Sequence, residues 1–251
     1  MPTLLQALGD LLFAPVCLGC DEPIAPGDTA RLVCRRCRAA LRAPPAPVCA
    51  RCGAPRRFTG RAHGPTCPEC QDWPPWLRCA RAACLLAPPA DRLVHQLKYR
   101  GWPALAGPMG ARMAAVVLPG DVLAELAGVV AVPTTPARRR ARGYNQAGEL
   151  ARSVAEHLEK PLLDVMERTP SARSQTGLQP AARGANVAGA FRVRRGGRGR
   201  VAAAHLLLVD DILTTGATAI ECARALVDAG ARCVTVLTFA RALDARRLTS
   251  T

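Results

Sequence analysis

The sequence predicts an α/β protein, a parallel sheet wrapped by helices on both faces, behind a small cysteine-rich module. Two patterns predict it: eight of the twelve cysteines fall in four C-x-x-C pairs between residues 17 and 70, and from residue 79 onward short apolar runs alternate with stretches of helical periodicity. Size and charge bound the rest. At about 150 residues per domain, the chain holds one domain or two. Its 49% hydrophobic and 21% charged residues exclude a disordered or collagen-like chain. A net charge of +15 favours phosphate-rich partners. Lys98 and Lys160 are the only lysines, so the arginine bias runs along the whole chain and reads as codon composition rather than selection for guanidinium forks.

The N-terminal stretch Met1–Phe13 carries Leu4, Leu5, Leu8, Leu11 and Leu12 at helical spacing, and Asp10 where a leader would be basic, so it is expected to be a short amphipathic helix. The longest apolar candidate, Ala111–Val132, is broken by Arg112, Pro119, Asp121 and Glu125, and no membrane span is expected.

The pairs Cys17/Cys20, Cys34/Cys37, Cys49/Cys52 and Cys67/Cys70 have the spacing of metal knuckles. Two residues between thiolates let a tight turn aim both sulfurs at one ion, and two knuckles complete a tetrahedral zinc site. Thirteen residues separate the first two pairs and fourteen the last two, enough for a hairpin each, so two sequential four-cysteine ribbons are expected. An interleaved pairing satisfies the same spacing, and His63 is a spare ligand. Redox use of C-x-x-C is disfavoured by four pairs with no strand-helix unit between them. Zinc here replaces a core that so short a piece can hardly build. Residues 1–78 hold ten Arg and six acids, and two zincs on eight thiolates bring that module to about neutral. Residues 138–200 instead hold fourteen basic residues against five acids, so any anion binds there.

Asp72-Trp-Pro-Pro-Trp76 is a proline-stiffened connector whose Trp residues are expected to pack the modules together; base stacking is their less favoured use. The expected division is 1–75 and 76–251. Beyond it, Ala80–Ala87 reads as a strand, Ala90–Tyr99 and residues 103–118 as helices, and Gly128–Val132 as a buried strand ending at Pro133. Asn145–Glu159 is a helix, His205–Val209 a strand, Thr215–Ala229 its helix, and Cys233–Phe239 the last strand. Ligands in such sheets sit at the carboxyl ends of strands.

One segment carries most of the chemistry, Leu206-Leu-Leu-Val-Asp-Asp-Ile-Leu-Thr-Thr-Gly-Ala-Thr218. A buried strand runs out into Asp210 and Asp211, and then through Thr214, Thr215, Gly216, Ala217 and Thr218 into a helix. Hydroxyls and free N–H groups gathered at the positive end of that helix make a monophosphate cradle, with Gly216 allowing close approach. The acids suit vicinal hydroxyls or hydrated Mg²⁺, so the implied ligand is a ribose bearing a 5-phosphate. A plain helix cap explains less of this combination.

These residues resemble the phosphoribosyl pyrophosphate (PRPP) signature of type I phosphoribosyltransferases. Val132-Pro-Thr-Thr-Pro-Ala-Arg-Arg-Arg-Ala-Arg-Gly-Tyr-Asn-Gln146, followed by Arg168, Arg173, Gln175, Leu178, Arg183, Asn186, Ala190 and Phe191, narrows the resemblance to the ComF family of competence proteins, which also carries a double zinc ribbon in front. One departure is Thr134-Thr-Pro136, where the family has a more basic or His-containing loop. The resemblance implies a PRPP site with Mg²⁺ formed by Asp210, Asp211, Thr214–Thr218, Arg138, Arg140 and Arg142, with Asp210, Asp211 and Arg173 in catalytic roles. It implies a pyrophosphate loop over Pro133–Arg142 and a closing hood over Arg168–Phe191. It also implies a cytoplasmic protein that meets single-stranded DNA and uptake or helicase components. The same residues also fit a metabolic transferase that moves ribose 5-phosphate from PRPP to a base or amine, and a regulator that senses PRPP without turnover. Arg192–Arg200 reads as a basic turn between strands, with an RGG-like nucleic-acid tract as the alternative. His95, His157, Cys79, Cys84, Cys222 and Cys233 are expected to be packing or surface residues.

Overall fold

The structure is a computed structural model and describes residues 15–25, 28, 30–56, 67–169 and 189–243. The expected N-terminal helix, His63, and Arg173, Gln175, Leu178, Arg183 and Asn186 lie outside them.

Four parallel strands, β1 (Leu77–Leu85), β2 (Leu126–Ala131), β5 (His205–Leu213) and β6 (Cys233–Arg241), form one sheet in the order β1-β6-β5-β2. A small antiparallel pair, β3 (Met166–Arg168) and β4 (Phe191–Val193), stands apart. The helices are α1 (Arg35–Ala40), α2 (Ala90–Tyr99), α3 (Ala106–Ala114), α4 (Val122–Glu125), α5 (Pro136–Arg142), α6 (Gln146–His157), α7 (Arg198–Val201) and α8 (Ala217–Asp228), with a 3-10 turn at Pro103–Leu105.

Side chains alternate across a strand, so the continuous apolar runs of β5 and β6 feed two cores. Leu207, Val209, Leu237 and Phe239 face one way and meet Leu93, Leu97, Met109, Met113, Leu150 and Val154 of α2, α3 and α6. Leu206, Leu208, Val234 and Val236 face the other way and meet Cys222, Ala223 and Leu226 of α8. The two cysteine ribbons divide between these cores: Cys17, Leu18, Ile24, Val33 and Cys37 join the first, and Cys49, Cys52, Cys67, Cys70 and Trp73 join the second. The cysteine module therefore straddles β1, an edge strand. Backbone bonds from Ala80 N to Arg51 O (2.7 Å) and from Leu85 N to Arg42 O (2.7 Å) use edge groups that would otherwise be open to another chain.

The sequence expectation places most elements and misplaces some boundaries. β5 and β6 run past their expected ends, because Asp210 pairs with Thr238 and Ile212 with Ala240, so the acids are still inside the ladder. The expected pyrophosphate loop contains helix α5, which the local sequence specifies: Thr135 caps it by accepting from Arg138 N at 3.2 Å, Pro136 sits in its first turn, and Gly143 ends it at φ 82°. Residues 103–118 shorten to the 3-10 turn plus α3. Arg192–Arg200 spans the end of β4, a turn and the start of α7.

Candidate functional site

The two cysteine clusters assemble sequentially, Cys17, Cys20, Cys34 and Cys37 in one and Cys49, Cys52, Cys67 and Cys70 in the other. The interleaved pairing is thereby excluded. Sulfurs of opposing knuckles lie 3.9 Å apart (Cys20 to Cys34), 3.8 Å apart (Cys49 to Cys70) and 3.7 Å apart (Cys52 to Cys67). A tetrahedron with zinc–sulfur bonds of about 2.3 Å has edges of about 3.8 Å, so both clusters fit zinc. Gly19 N and Cys34 N donate to Cys17 Sγ at 3.3 and 3.2 Å, which stabilises thiolate character. The second site abuts Arg241, which is 2% exposed and whose Nη1 donates to Cys52 O at 2.6 Å. A guanidinium there offsets the negative charge of a four-thiolate zinc centre.

Trp73 follows this second site by three residues, and its backbone is fixed there. Its N donates to Cys70 O at 3.1 Å, and its O accepts from Arg51 Nη2 at 2.8 Å. The indole is 7% exposed and rests on Gly216, where an added Cβ would stand 2.9 Å from Trp73 Cζ2. It is thus packed against the loop between β5 and α8 and is not available to stack on a base. Trp76 is half-buried.

That loop is built as the sequence suggests. Gly216, at φ 86°, is the N-cap of α8 and supplies no capping side chain. Ala217 N reaches Thr215 Oγ1 at 3.4 Å, Thr214 and Thr215 are exposed, and Thr218 is half-buried in the first helical turn. The first-turn amides therefore gather beside two exposed hydroxyls, an arrangement suited to an anion.

Because Asp210 and Asp211 are consecutive on a strand, they leave opposite faces of the sheet. Asp211 follows Leu207 and Val209 toward α2, is 4% exposed, and meets Lys98 Nζ at 2.9 Å through Oδ2. Asp210 turns toward α8 and accepts Asp211 N at 2.8 Å on Oδ1. Burial, with the adjacent Asp211 charge, pushes the Asp210 carboxyl well above the usual carboxylate range. Lys98 is a functional candidate that sequence reasoning passed over. Its signal was its rarity, one of two lysines among 34 basic residues.

Arg138, Arg139 and Arg140 lie on the exposed helix α5 at the carboxyl end of β2, and among the described residues no carboxylate pairs with them. Arg142 is committed locally: Nη1 donates to Gln146 Oε1 at 2.7 Å and the guanidinium lies 5.0 Å from the centre of the Tyr99 ring. Next to α5, a cavity of about 480 Å³ is lined in part by Thr134, Arg139, Tyr144, Asn145 and Arg168. Asn145 Nδ2 donates to Val132 O at 3.1 Å, while its Oδ1 is buried with no hydrogen-bond partner among the described residues. Arg168 pairs in register with Phe191 and stacks on that ring, so the ends of the expected hood emerge side by side.

The remaining expected packing residues behave as such. Cys84 Sγ donates to Phe239 O at 3.2 Å, Cys79 Sγ lies 3.6 Å from Thr235 Oγ1, and His157 Nδ1 is 2.8 Å from Ser153 O. His205, buried at the other end of β5 between Glu125 and Thr235, has its pKa lowered by burial and belongs to the scaffold. Among the described residues no helix is long and apolar enough to cross a membrane.

Comparison with known proteins gives the following. The double zinc ribbon domain family matches residues 8–71. The DNA utilization protein YhgH of Escherichia coli (strain K12) is 31% identical over 233 residues, 91% of this chain and 97% of that protein. Its counterpart in Salmonella typhi is 30% identical over 237 residues with the same coverage. Competence protein F of Haemophilus influenzae is 31% identical over 115 residues, 45% of this chain and 50% of that one. Among solved structures, glutamine phosphoribosylpyrophosphate (PRPP) amidotransferase from B. subtilis, complexed with ADP and GMP, superposes at a TM-score of 0.37 and 20% identity, over 57% of this chain and 30% of that one. Two four-cysteine clusters fused to a parallel sheet, and identity with the E. coli protein sustained over nearly the full length of both chains, place this chain in the ComF family of DNA utilization and competence proteins.

Proposed function

We propose that this chain binds PRPP with Mg²⁺ across the carboxyl ends of β2 and β5, and that it handles single-stranded DNA in the cytoplasm during DNA uptake. The observation that carries the reading is the loop Asp210–Thr218. A left-handed glycine opens the long helix α8 beside two exposed threonine hydroxyls, directly after an acid pair, and α5, which follows the neighbouring strand β2, carries Arg138, Arg139 and Arg140, which pair with no carboxylate among the described residues. In this reading residues 1–75 are the zinc module and 76–251 the phosphoribosyltransferase-like domain.

The 5-phosphate sits on Thr214, Thr215, Gly216, Ala217 and Thr218, receiving amide and hydroxyl bonds. Asp210 and Asp211 receive the ribose hydroxyls. The oxygen donors fit Mg²⁺, which binds through one or two carboxylates plus substrate phosphates: Asp210 spends one oxygen on Asp211 N and has lone pairs to spare, whereas Asp211 Oδ2 faces Lys98. Bound there, Mg²⁺ would neutralise charge on the pyrophosphate. Arg138 and Arg140 hold the pyrophosphate from the other side, and Arg142, tied to Gln146 and Tyr99, keeps that helix end in place. Arg173, with the rest of the hood, would close the site against water.

The names of the relatives, DNA utilization and competence, support a role with DNA, and the arginine helix supplies sequence-independent contacts for a phosphate backbone. A second reading, transfer of ribose 5-phosphate to a base or amine, is favoured by the cavity beside Asn145, whose orphaned Oδ1 could accept from an amine or amide. Pyrophosphate release from PRPP and Mg²⁺, with and without single-stranded DNA, tests the choice. Release with a base or amine and indifference to DNA supports the transferase. DNA binding that falls steeply with salt, without release, supports the uptake role.

A further inference from the structure

Resting on the single-strand reading above, we infer that Tyr99 and Trp102 form a stacking platform for the bases of single-stranded DNA whose phosphates lie on α5. The chain is poor in aromatics, with two Tyr, three Trp and four Phe. Of the seven described, Trp73, Phe191 and Phe239 are 7%, 6% and 0% exposed, and Trp76 and Tyr144 are half-buried. Tyr99 and Trp102 are the two exposed ones, at 63% and 41%, and they stand three residues apart across the left-handed turn at Gly101.

Isolated surface aromatics are ordinary, but these two are not isolated. The Arg142 guanidinium stacks 5.0 Å from the Tyr99 ring centre, and the His95 ring centre lies 5.1 Å from it on the preceding turn of α2. The Tyr144 hydroxyl donates to Leu97 O, which joins the end of α2 to the segment that follows α5. Arg142 and Tyr144 thus brace the end of α2, which carries Tyr99, against the end of α5 and the segment that follows it. Charge chooses the occupant: α5 carries exposed guanidinium groups that pair with no carboxylate among the described residues and call for a polyanion, and exposed rings on the segment that Arg142 ties to α5 call for one whose bases are unpaired. A duplex would cover its bases and leave the rings idle. The residue before Tyr99 is Lys98, paired with Asp211, so a strand on this platform lies beside the acid pair.

The test is fluorescence anisotropy of a short labelled oligothymidylate with the zinc-loaded full-length protein. Tyr99→Ala and Trp102→Ala should each weaken binding about ten-fold, with the dependence of log K on log salt unchanged because the phosphates keep their partners. Tyr99→Phe and Trp102→Phe should bind like the wild type, and an abasic oligomer should bind the wild type about as weakly as oligothymidylate binds the Tyr99→Ala, Trp102→Ala double variant. Equal binding of oligothymidylate by the wild type and folded alanine variants, or equal affinity for the abasic oligomer, overturns the platform while leaving DNA handling intact. A wild type that binds no single strand at all overturns both.

Discussion

Replacing Lys98 with Met removes the cation that, among the described residues, pairs with Asp211, while keeping the aliphatic stem. The pair is 2.9 Å long, and its side chains are 19% and 5% exposed, which sets it apart from surface ion pairs worth about 0–1 kcal/mol. Leaving a buried charge without its partner costs about 3–5 kcal/mol, and the residual exposure of Lys98 argues for the lower end, about 3 kcal/mol. At about 2–4 °C per kcal/mol for a protein of this size, the melting temperature of the zinc-loaded protein should fall by about 6–12 °C at neutral pH. The double variant Lys98→Met with Asp211→Asn should recover most of the loss, because removing both charges leaves nothing uncompensated. A single variant within about 2 °C of wild type, or a double variant whose losses simply add, would refute the idea that Lys98 is the internal counter-ion of the site.

Further expected outcomes address the neighbouring residues. Asp210 has a folded pKa raised by burial and by Asp211, so the folded state holds that proton more tightly than the unfolded state, and stability falls as pH rises from the ordinary carboxylate range through the raised value. Asp210→Asn should flatten that decline in pH-dependent denaturation, leaving the unliganded protein more stable at neutral pH while abolishing PRPP binding. Gly216→Ala meets both a φ of 86° and the Trp73 ring at 2.9 Å, whereas Gly143→Ala meets a φ of 82° and open space. Chemical denaturation should show the first losing clearly more than the roughly 1–2 kcal/mol of left-handed strain that they share. Removing zinc with a chelator should weaken PRPP binding in calorimetry, because Trp73 hangs from the second cysteine site and rests on the phosphate loop; unchanged binding would show that the loop needs no such support. Arg138→Gln with Arg140→Gln should reduce the salt slope of single-strand binding by about 1.4 if both touch phosphates.

The parts of the molecule visible in the sequence are those set by local rules. The C-x-x-C spacing picks out eight ligands but fits two pairings, of which the fold takes the expected sequential one, and helix Ala90–Tyr99 lies where the sequence places it residue for residue. Helix α5 was specified just as plainly, by Thr135, Pro136 and Gly143, and was missed because the family resemblance pointed to a loop. What could not be read were contacts made across the fold. Lys98 and Asp211 are far apart in sequence and meet only because α2 packs on the face of β5 from which Asp211 leaves. Trp73 was expected to pack the modules together, but its seat on Gly216 depends on how the second ribbon wraps β1. The short pairing of β3 with β4 brings Arg168 opposite Phe191 across a long gap that carries no apolar periodicity of its own.

The central claim is that the strand end and loop from Asp210 to Thr218 form a PRPP site. Calorimetric titration of the zinc-loaded protein with PRPP and Mg²⁺, beside the same titration of a folded Asp210→Asn, Asp211→Asn variant, tests it most directly. The account requires saturable binding by the wild type and none by the variant. Equal binding by both, or none by a folded wild type, would contradict it.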